Sequence, residues 1–542
     1  MLELILLSAL TSIILTPCGY LFNKHNNINI ANYSTDLIYG VILISFISLF
    51  INFFFPLNIF INSFVLTIPF IIFLKKKKLY FTFKFLNFLI LNTIIIFLLI
   101  AKSNVYRPDA MLYHLPYINV LNDEKIIFGL SNLHYRFGHI SIIQYFSAFF
   151  DNIIFLSKGI VFSVAVIAST VIINFLAQII QYLKNKQFEF HFYYLFFILI
   201  FIAYKMNRYS EFGNDAPTHF LFFFLVSELI RKINSIDYNI SNNFILSIFI
   251  LLNKVTMGFA IFLPFVFISK KKAINFLKTK KFYFGIFFFI LWILKNTIIS
   301  GCLIYPVSKL CFNNLEWSNI EKTEKVAIEN EAWTKGWSDL DNEDNISHSL
   351  YSEKFFWIKN WSQNHLKKIL MILIPYILFL IIFTFILLFG FKKKDKNKIY
   401  FKKYFYLILI MIFFSFLWFL KVPQFRYGYS YLVCLISLTF SYYCVLYNLR
   451  LNNPYKLFSI TLIVFSFIFV SKNLIRIFTI ERNVWPKIVY LKENDVIKKE
   501  LEHFYYNKSN IECGYGFSLC THFEKKDLKS KIFLNYKMII QN

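Results

Sequence analysis

The stretch "KFLNFLILNTIIIFLLIAKSNVYRPDAMLYHLPYI" (residues 84–118) decides how this chain is read. Residues 84 to 101 form an apolar run of membrane-crossing length, since a span needs about 20 such residues. A few residues beyond it stands Asp109, in a polar loop that continues to residue 140 and holds His114, His134 and His139. So abrupt a change belongs to a chain leaving a bilayer. The composition agrees: among 542 residues 58% are hydrophobic, 71 are Phe, and the mean hydropathy is +0.56. A chain this apolar has no single soluble core large enough to hide its surface, so lipid is the solvent. The formal charge of +27 sits in short basic clusters between apolar runs. That is the pattern of cytoplasmic loops under the positive-inside rule, not of a nucleic-acid-binding face.

Outward from residue 84, further apolar runs cover 2–22, 36–55, 57–74, 155–183, 190–205, 217–230, 282–299, 369–391, 403–420, 428–449 and 455–473. The first begins with an acid at position 3 and no basic residues before it, so it reads as a retained span and not a cleaved signal. The basic clusters at Lys75 to Lys78, Lys184 and Lys186, Arg231 and Lys232, Lys270 to Lys272 with Lys278, Lys280 and Lys281, and Lys392 to Lys394 with Lys396 and Lys398 fall on one side if the N-terminus is outside. That side is the cytoplasm. The broken stretch 243–269 has basic clusters at both ends, so it is expected to be a re-entrant hairpin with its tip near Asn253, Lys254 and Thr256.

The expected fold is all-α, a polytopic transmembrane helical bundle of about 12 to 14 membrane segments including that hairpin, in the plasma (inner) membrane. It divides into a three-span extension (1–79), a transmembrane core (80–473) with outer loops at 102–140 and 300–368, and an extracytoplasmic tail (474–542) of marginal size for independent folding. Cys302 with Cys311, and Cys513 with Cys520, are close pairs placed outside, where disulfides persist; four unrelated thiols are the alternative. Neither pair has the spacing of a zinc site.

The titratable residues out of place in a greasy chain are the candidates for chemistry. Pro108 restricts Arg107 and favours an extended approach to Asp109. Leu112, Leu115, Ile118 and Leu121 fit an amphipathic helix lying in the membrane interface, with Asp109 and Tyr113 on one face. Asp109 would serve that helix equally as an N-cap, and Asp215, just before the run at 217, has the same two readings. Arg136 holds either lipid headgroups or a ligand. Lys254 and Lys295 sit within apolar runs, where a lysine costs roughly 2.5 to 3.5 kcal/mol, so each faces a cavity or partner, or snorkels to the surface. Arg426, in the tight outer loop "KVPQFRYGYS", has the fork geometry suited to phosphate. No zinc-protease, Walker, nucleophile-elbow or dinucleotide motif is present.

The serial order of "RPDAMLYHLP", "GNDAP", "LLNKVTMGF", "WILKNTIISGCLIYP" and "VPQFRYG" resembles the C-type (GT-C) glycosyltransferase superfamily over about residues 80 to 430, as in bacterial multi-pass proteins with a "DAxxYHLP" loop. The resemblance implies GT-C-like outer loops and transfer of a sugar from a polyprenyl-phosphate donor to an extracytoplasmic glycan, lipid or protein acceptor. It implies Asp109 as general base, Lys254, Lys295 and Arg426 on the phosphate, and Asp215 on sugar or acceptor hydroxyls. Tyr113, His114 and Arg136 would shape the pocket, and Trp317, Trp333 and Trp337 would offer stacking surfaces. Two departures stand out: three spans precede the matching region, and Asp109 has no neighbouring second carboxylate, so no cofactor is assigned and a divalent metal stays open. The partners are then lipid-linked sugar and membrane lipid, without nucleic acid. A transporter or flippase of lipid-linked sugars is the alternative, and a non-catalytic polysaccharide assembly protein of the cell envelope a third reading.

Overall fold

A computed structural model describes residues 1–23, 29–103, 108–139, 141–206, 212–233, 240–340, 346–353, 355–389, 401–446, 454–481, 483–486, 488, 490–523 and 527–541. Arg107 and the basic cluster from Lys392 to Lys398 lie outside the described residues. The long helices are α1 (Leu2–Tyr20), α2 (Ile30–Asn52), α3 (Ile59–Lys75), α4 (Phe83–Ile100), α5 (Phe162–Lys184), α6 (Phe190–Lys205), α7 (Asp215–Lys232), α8 (Ile240–Asn253), α9 (Lys280–Ser300), α10 (Lys367–Phe389), α11 (Phe401–Lys421), α12 (Phe425–Leu446) and α13 (Pro454–Thr479). Among the described residues nine helical segments are long and apolar enough to cross a membrane, and α3, α6, α8 and a 3₁₀ segment at Val255–Phe265 are shorter apolar companions. The chain is a multi-pass helical protein.

Local chemistry sets the helix ends. Asn29 accepts the Asn32 N–H at 2.8 Å and starts α2 six residues before its apolar run, while Thr82 and Thr279 cap α4 and α9 in the same way. Gly301, at φ +76°, closes α9 with its N–H on the Thr297 carbonyl at 2.8 Å. Helices α1 and α2 touch backbone to backbone: a Cβ on Gly40 would come within 2.0 Å of the Leu15 carbonyl oxygen.

Two ends of the bundle differ in kind. At one, Lys281 donates to the Phe22 carbonyl and to Asn242, both at 2.6 Å, and Lys403 donates to the Ile233 carbonyl at 3.1 Å. Arg231 and Lys232 both pair with Glu228 there. These contacts gather the ends of α1 and α8 with the basic ends of α7, α9 and α11. The other end carries the loops that follow α4 and α9, the tail and a large cavity.

The 243–269 stretch is a hairpin. Helix α8 stops at Asn253, Lys254 is extended (φ −151°, ψ 109°), and the 3₁₀ segment folds back along α8 until the Phe265 ring lies 5.7 Å from Phe244.

Two expectations need correction. The tail is not helical: β1 (Val496–Glu500), β2 (Tyr505–Ser509) and β3 (Cys520–Thr521) form one sheet, and β4 (Leu528–Phe533) and β5 (Tyr536–Gln541) form a hairpin. Nor does it stand alone, since Ile539 N–H donates to the Phe128 carbonyl at 2.8 Å and Gly514 N–H to that of Met111 at 2.9 Å. Under this cover the helix Leu115–Asp123 buries residues 115 to 122 among protein, so it is not an amphipathic helix with one face open to lipid. Small size explains the docking, because a unit this short lacks core enough to hold itself.

Candidate functional site

The loop that carries Asp109 is anchored at its origin. Arg476 of α13 donates to the carbonyls of Leu98 and Ala101 at the end of α4, and Lys102 reaches the Ile480 carbonyl at 2.9 Å. Residues Ala110–His114 then form a wide π-type turn in which Leu115 N–H reaches the Ala110 carbonyl five residues back. Such single wide turns recur at functional sites, because the extra residue re-aims the side chains around it. Asp109 makes no capping bond at this turn. Its carboxylate meets Arg426 instead, Nη1 to Oδ2 at 3.3 Å. Arg426 is aimed by two further bonds, Nε to Gln424 at 3.0 Å and Nη2 to the Tyr427 hydroxyl at 2.8 Å.

At the far end of the same turn, His114 is held as a neutral ring. Gln144 receives the Ser141 N–H on its Oε1 at 3.1 Å, which leaves its Nε2 to donate to His114 Nδ1 at 2.9 Å. The imidazole proton therefore sits on Nε2. Burial holds His114 well below its ordinary value, to about 4, against the pull of the Asp109 and Asp215 carboxylates. Burial, aided by Arg136, likewise takes His139 down to about 3.

The floor is built from helix ends. Asp215 occupies the first turn of α7 and forms an ion pair with Lys254 at the hairpin tip. Asn214 ties the same two elements by donating to the Asn253 carbonyl at 2.8 Å. The Lys254 ammonium lies 3.9 Å from the centre of the Tyr427 ring, a cation–π contact that links floor to rim. One turn along α7, His219 bonds the Arg426 carbonyl at 2.9 Å and the Ser430 hydroxyl at 2.7 Å, fixing the first turn of α12.

Together these elements enclose a cavity of about 1420 Å³. The structure brings Asp109, Tyr113, His114, Arg136, Asp215, Lys254 and Arg426 to its lining. Five cations line it (Arg136, Lys254, Lys309, Lys421 and Arg426) against three carboxylates (Asp109, Asp215 and Glu331), so an anion is the favoured guest. Arg136 lies over the rings of Tyr113 and Tyr135, 5.6 and 5.0 Å from their centres. Tyr305 forms another wall, and it fits only because residue 138 is glycine: a Cβ there would meet its ring at 2.5 Å.

Four expected residues do not reach the lining. Lys295 is buried on α9 with its ammonium 5.0 Å from the Trp292 ring, while Trp292 and Asn296 beside it do line the cavity. Trp317 is a joint, packed on Phe128 and donating to the Thr297 carbonyl at 2.9 Å. Trp333 is exposed and Trp337 stands against His348. Of the histidines, His139 lines the cavity and His134 packs against His522 and Phe523. Sequence reasoning missed Gln144, Asn214, Glu331 and Tyr427; for Gln144 the S-x-x-Q capping box at Ser141 was the available signal.

Cys302 is bonded to Cys311 and Cys513 to Cys520, while Cys18, Cys434 and Cys444 are buried thiols. The first bridge closes a loop whose residues Ile304 to Lys309 line the cavity. Among the described residues no cluster of three or more His, Cys, Asp or Glu is placed to hold a metal ion.

The chain belongs to the family described as Domain of unknown function (DUF8201), which matches residues 1–433. That match takes in every cavity residue named above and ends before the β tail. No curated protein and no solved structure matches the chain.

Proposed function

We propose that this protein is an integral-membrane glycosyltransferase that moves a sugar from a polyprenyl-phosphate donor to an acceptor hydroxyl on the outer face of the membrane. In this reading the chain has about 12 to 14 membrane segments, including the re-entrant hairpin, with its N-terminus and tail on the cavity side. The basic ends of the bundle then face the cytoplasm. The observation that carries the reading is one cavity holding a water-accessible carboxylate, Asp109, beside several fixed cations.

The chemistry needs little more. An acceptor hydroxyl oxygen attacks the anomeric carbon, the bond from that carbon to the phosphate oxygen breaks with inversion, and the hydroxyl proton passes to Asp109. The lipid phosphate leaves as the anion and is met by Arg426, Arg136 and Lys254. A lipid phosphate is already a good leaving group, so the second carboxylate of most glycosidases has no necessary role. Tyrosine faces on the wall serve the sugar better than the tryptophans of the long loop. The cavity is closed in by outer loops and helix ends at one end of the bundle, which favours transfer over a path for flipping lipid across it.

Asp109→Asn tests this in proteoliposomes supplied with polyprenyl-phosphate sugars, with glycan products read by mass spectrometry. The variant is expected to keep donor binding and lose about 10²- to 10⁴-fold in transfer, the usual contribution of a general base. Undiminished product would sink the assignment, and a defect confined to translocation of the donor would mark a flippase.

A further inference from the structure

The tip of the β4–β5 hairpin is apolar and uncovered. Leu534 is 76% exposed, and Phe533 and Ile532 beside it are each 50% exposed. Leu534 and Asn535 make the two-residue turn, both in the left-handed region at φ +49° and +64°. Asn tolerates that region, but the Cβ of a leucine crowds its own carbonyl there. A turn chosen for stability alone would hold Gly or Asn at 534. Something outside the hairpin therefore favours a large apolar side chain at this point.

The height of the tip says what that is. Tyr536 donates its hydroxyl to the Phe53 carbonyl at 2.9 Å, one residue past the end of α2. Helix α3 begins only six residues later, at Ile59, so this short connection between two apolar helices lies at a membrane surface. Phe54 and Phe55 in the connection are exposed as well. Lys125 lies 3.9 Å from the centre of the Tyr536 ring, and a lysine over a tyrosine suits the headgroup layer, where one end of the pair is wet and the other apolar.

The geometry points to a membrane anchor: Leu534, with Phe533 and Ile532, enters the acyl-chain boundary of the leaflet on the cavity side, beside Phe54 and Phe55, while Lys125 and Tyr536 sit among the headgroups. The tip in lipid thus adds to the protein tethers of the tail, among them β5 on the Phe128 backbone. The contact of β5 with Phe128 bears on the segment that leads to Arg136 at the cavity. The inference does not rest on glycosyl transfer.

The test places an environment-sensitive dye on Leu534→Cys of the full chain in nanodiscs of phosphatidylethanolamine and phosphatidylglycerol. Expected are a blue-shifted emission and quenching by lipids carrying a nitroxide just below the headgroup. The same dye on Lys529→Cys, towards the other end of β4, should keep water-like emission and be quenched by aqueous iodide. Water-like emission at 534 overturns the anchor. So does a blue shift that lipid nitroxides leave unquenched, which would mean that protein, such as a second copy, covers the tip.

Discussion

The rim and the floor of the cavity each hold one carboxylate beside one cation, yet the two pairs are built differently. At the rim, the side chains of Asp109 and Arg426 are 41% and 53% exposed and meet at 3.3 Å. At the floor, Lys254 is only 7% exposed and Asp215 31%. An ion pair within reach of water contributes little to stability and exchanges partners readily. A pair with a buried member is another matter, because removing one partner strands the other charge out of water. The rim is therefore where chemistry has freedom, and the floor is where the fold is held.

The largest test of that contrast is at the floor. Asp215→Asn should lower stability by about 3 to 5 kcal/mol, read as thermal unfolding in nanodiscs, by stranding the buried Lys254 ammonium without its carboxylate. The double variant Asp215→Asn with Lys254→Met should recover more than half of the loss, since neither charge is then stranded. Asp109→Asn should stay within about 1 kcal/mol of the parent. Equal losses at both pairs would erase the distinction.

A second test uses pH. His114 has its folded value lowered to about 4 from the ordinary 6.5, so the folded state binds fewer protons than the unfolded state between those values. Stability then falls as pH drops below 6.5 and levels off near 4. By pH 5 the loss from this residue is at most about 2 kcal/mol, less because one edge of the ring faces the cavity. Asp123 works in the opposite sense: burial, with Glu124 and Asp151 nearby, raises it to about 6. The isolating measurement is the slope difference between parent and His114→Gln, whose stability should fall less than the parent's, or rise, as pH drops from 6.5 to 4. An unchanged slope would mean that His114 is not held neutral.

How much of this was legible beforehand follows from what lipid demands. Contiguous apolar runs announced the helices, but the second run begins only at residue 36 because Tyr33 and Ser34 interrupt the apolar pattern before it. Both are buried, as is Asp36: Tyr33 donates to the Leu79 carbonyl at 2.6 Å and Asp36 accepts from Asn23 at 3.0 Å. Polar residues that face protein inside a bundle break the run that sequence reading depends on. Asp109, Asp215, Lys254 and Arg426 stood out because a charge at the edge of an apolar run is conspicuous. Glu331 and Lys421 did not, since one lies in a polar outer helix and the other at a helix end where lysine is commonplace; only the fold sets them 3.6 Å apart. The tryptophans misled for the converse reason, since what a large ring touches is decided by tertiary neighbours. The tail's strands escaped notice because four of the five residues of β1 are exposed and leave no apolar alternation to read.

Arg426→Lys sharpens the rim at smaller cost. The variant loses the fork that bonds Asp109, Gln424 and Tyr427 together, so transfer should fall about tenfold with stability nearly unchanged. A loss in stability matching the loss in transfer would make Arg426 a structural strut instead.

The smallest effect is the most discriminating. If an arriving phosphate takes Arg426 from Asp109, the carboxylate competes with the donor before it serves as base. Asp109→Asn removes that competitor, and the exposed pair it breaks is worth less than about 1 kcal/mol. Donor binding should then become tighter by about two- to fivefold in the same variant that has lost transfer. Isothermal titration with a short-chain polyprenyl-phosphate sugar reads the difference directly. Weaker binding would mean that Asp109 touches the donor in the ground state and that the rim pair is not exchanged, whereas tighter binding with no transfer follows only if one cation is shared between base and phosphate.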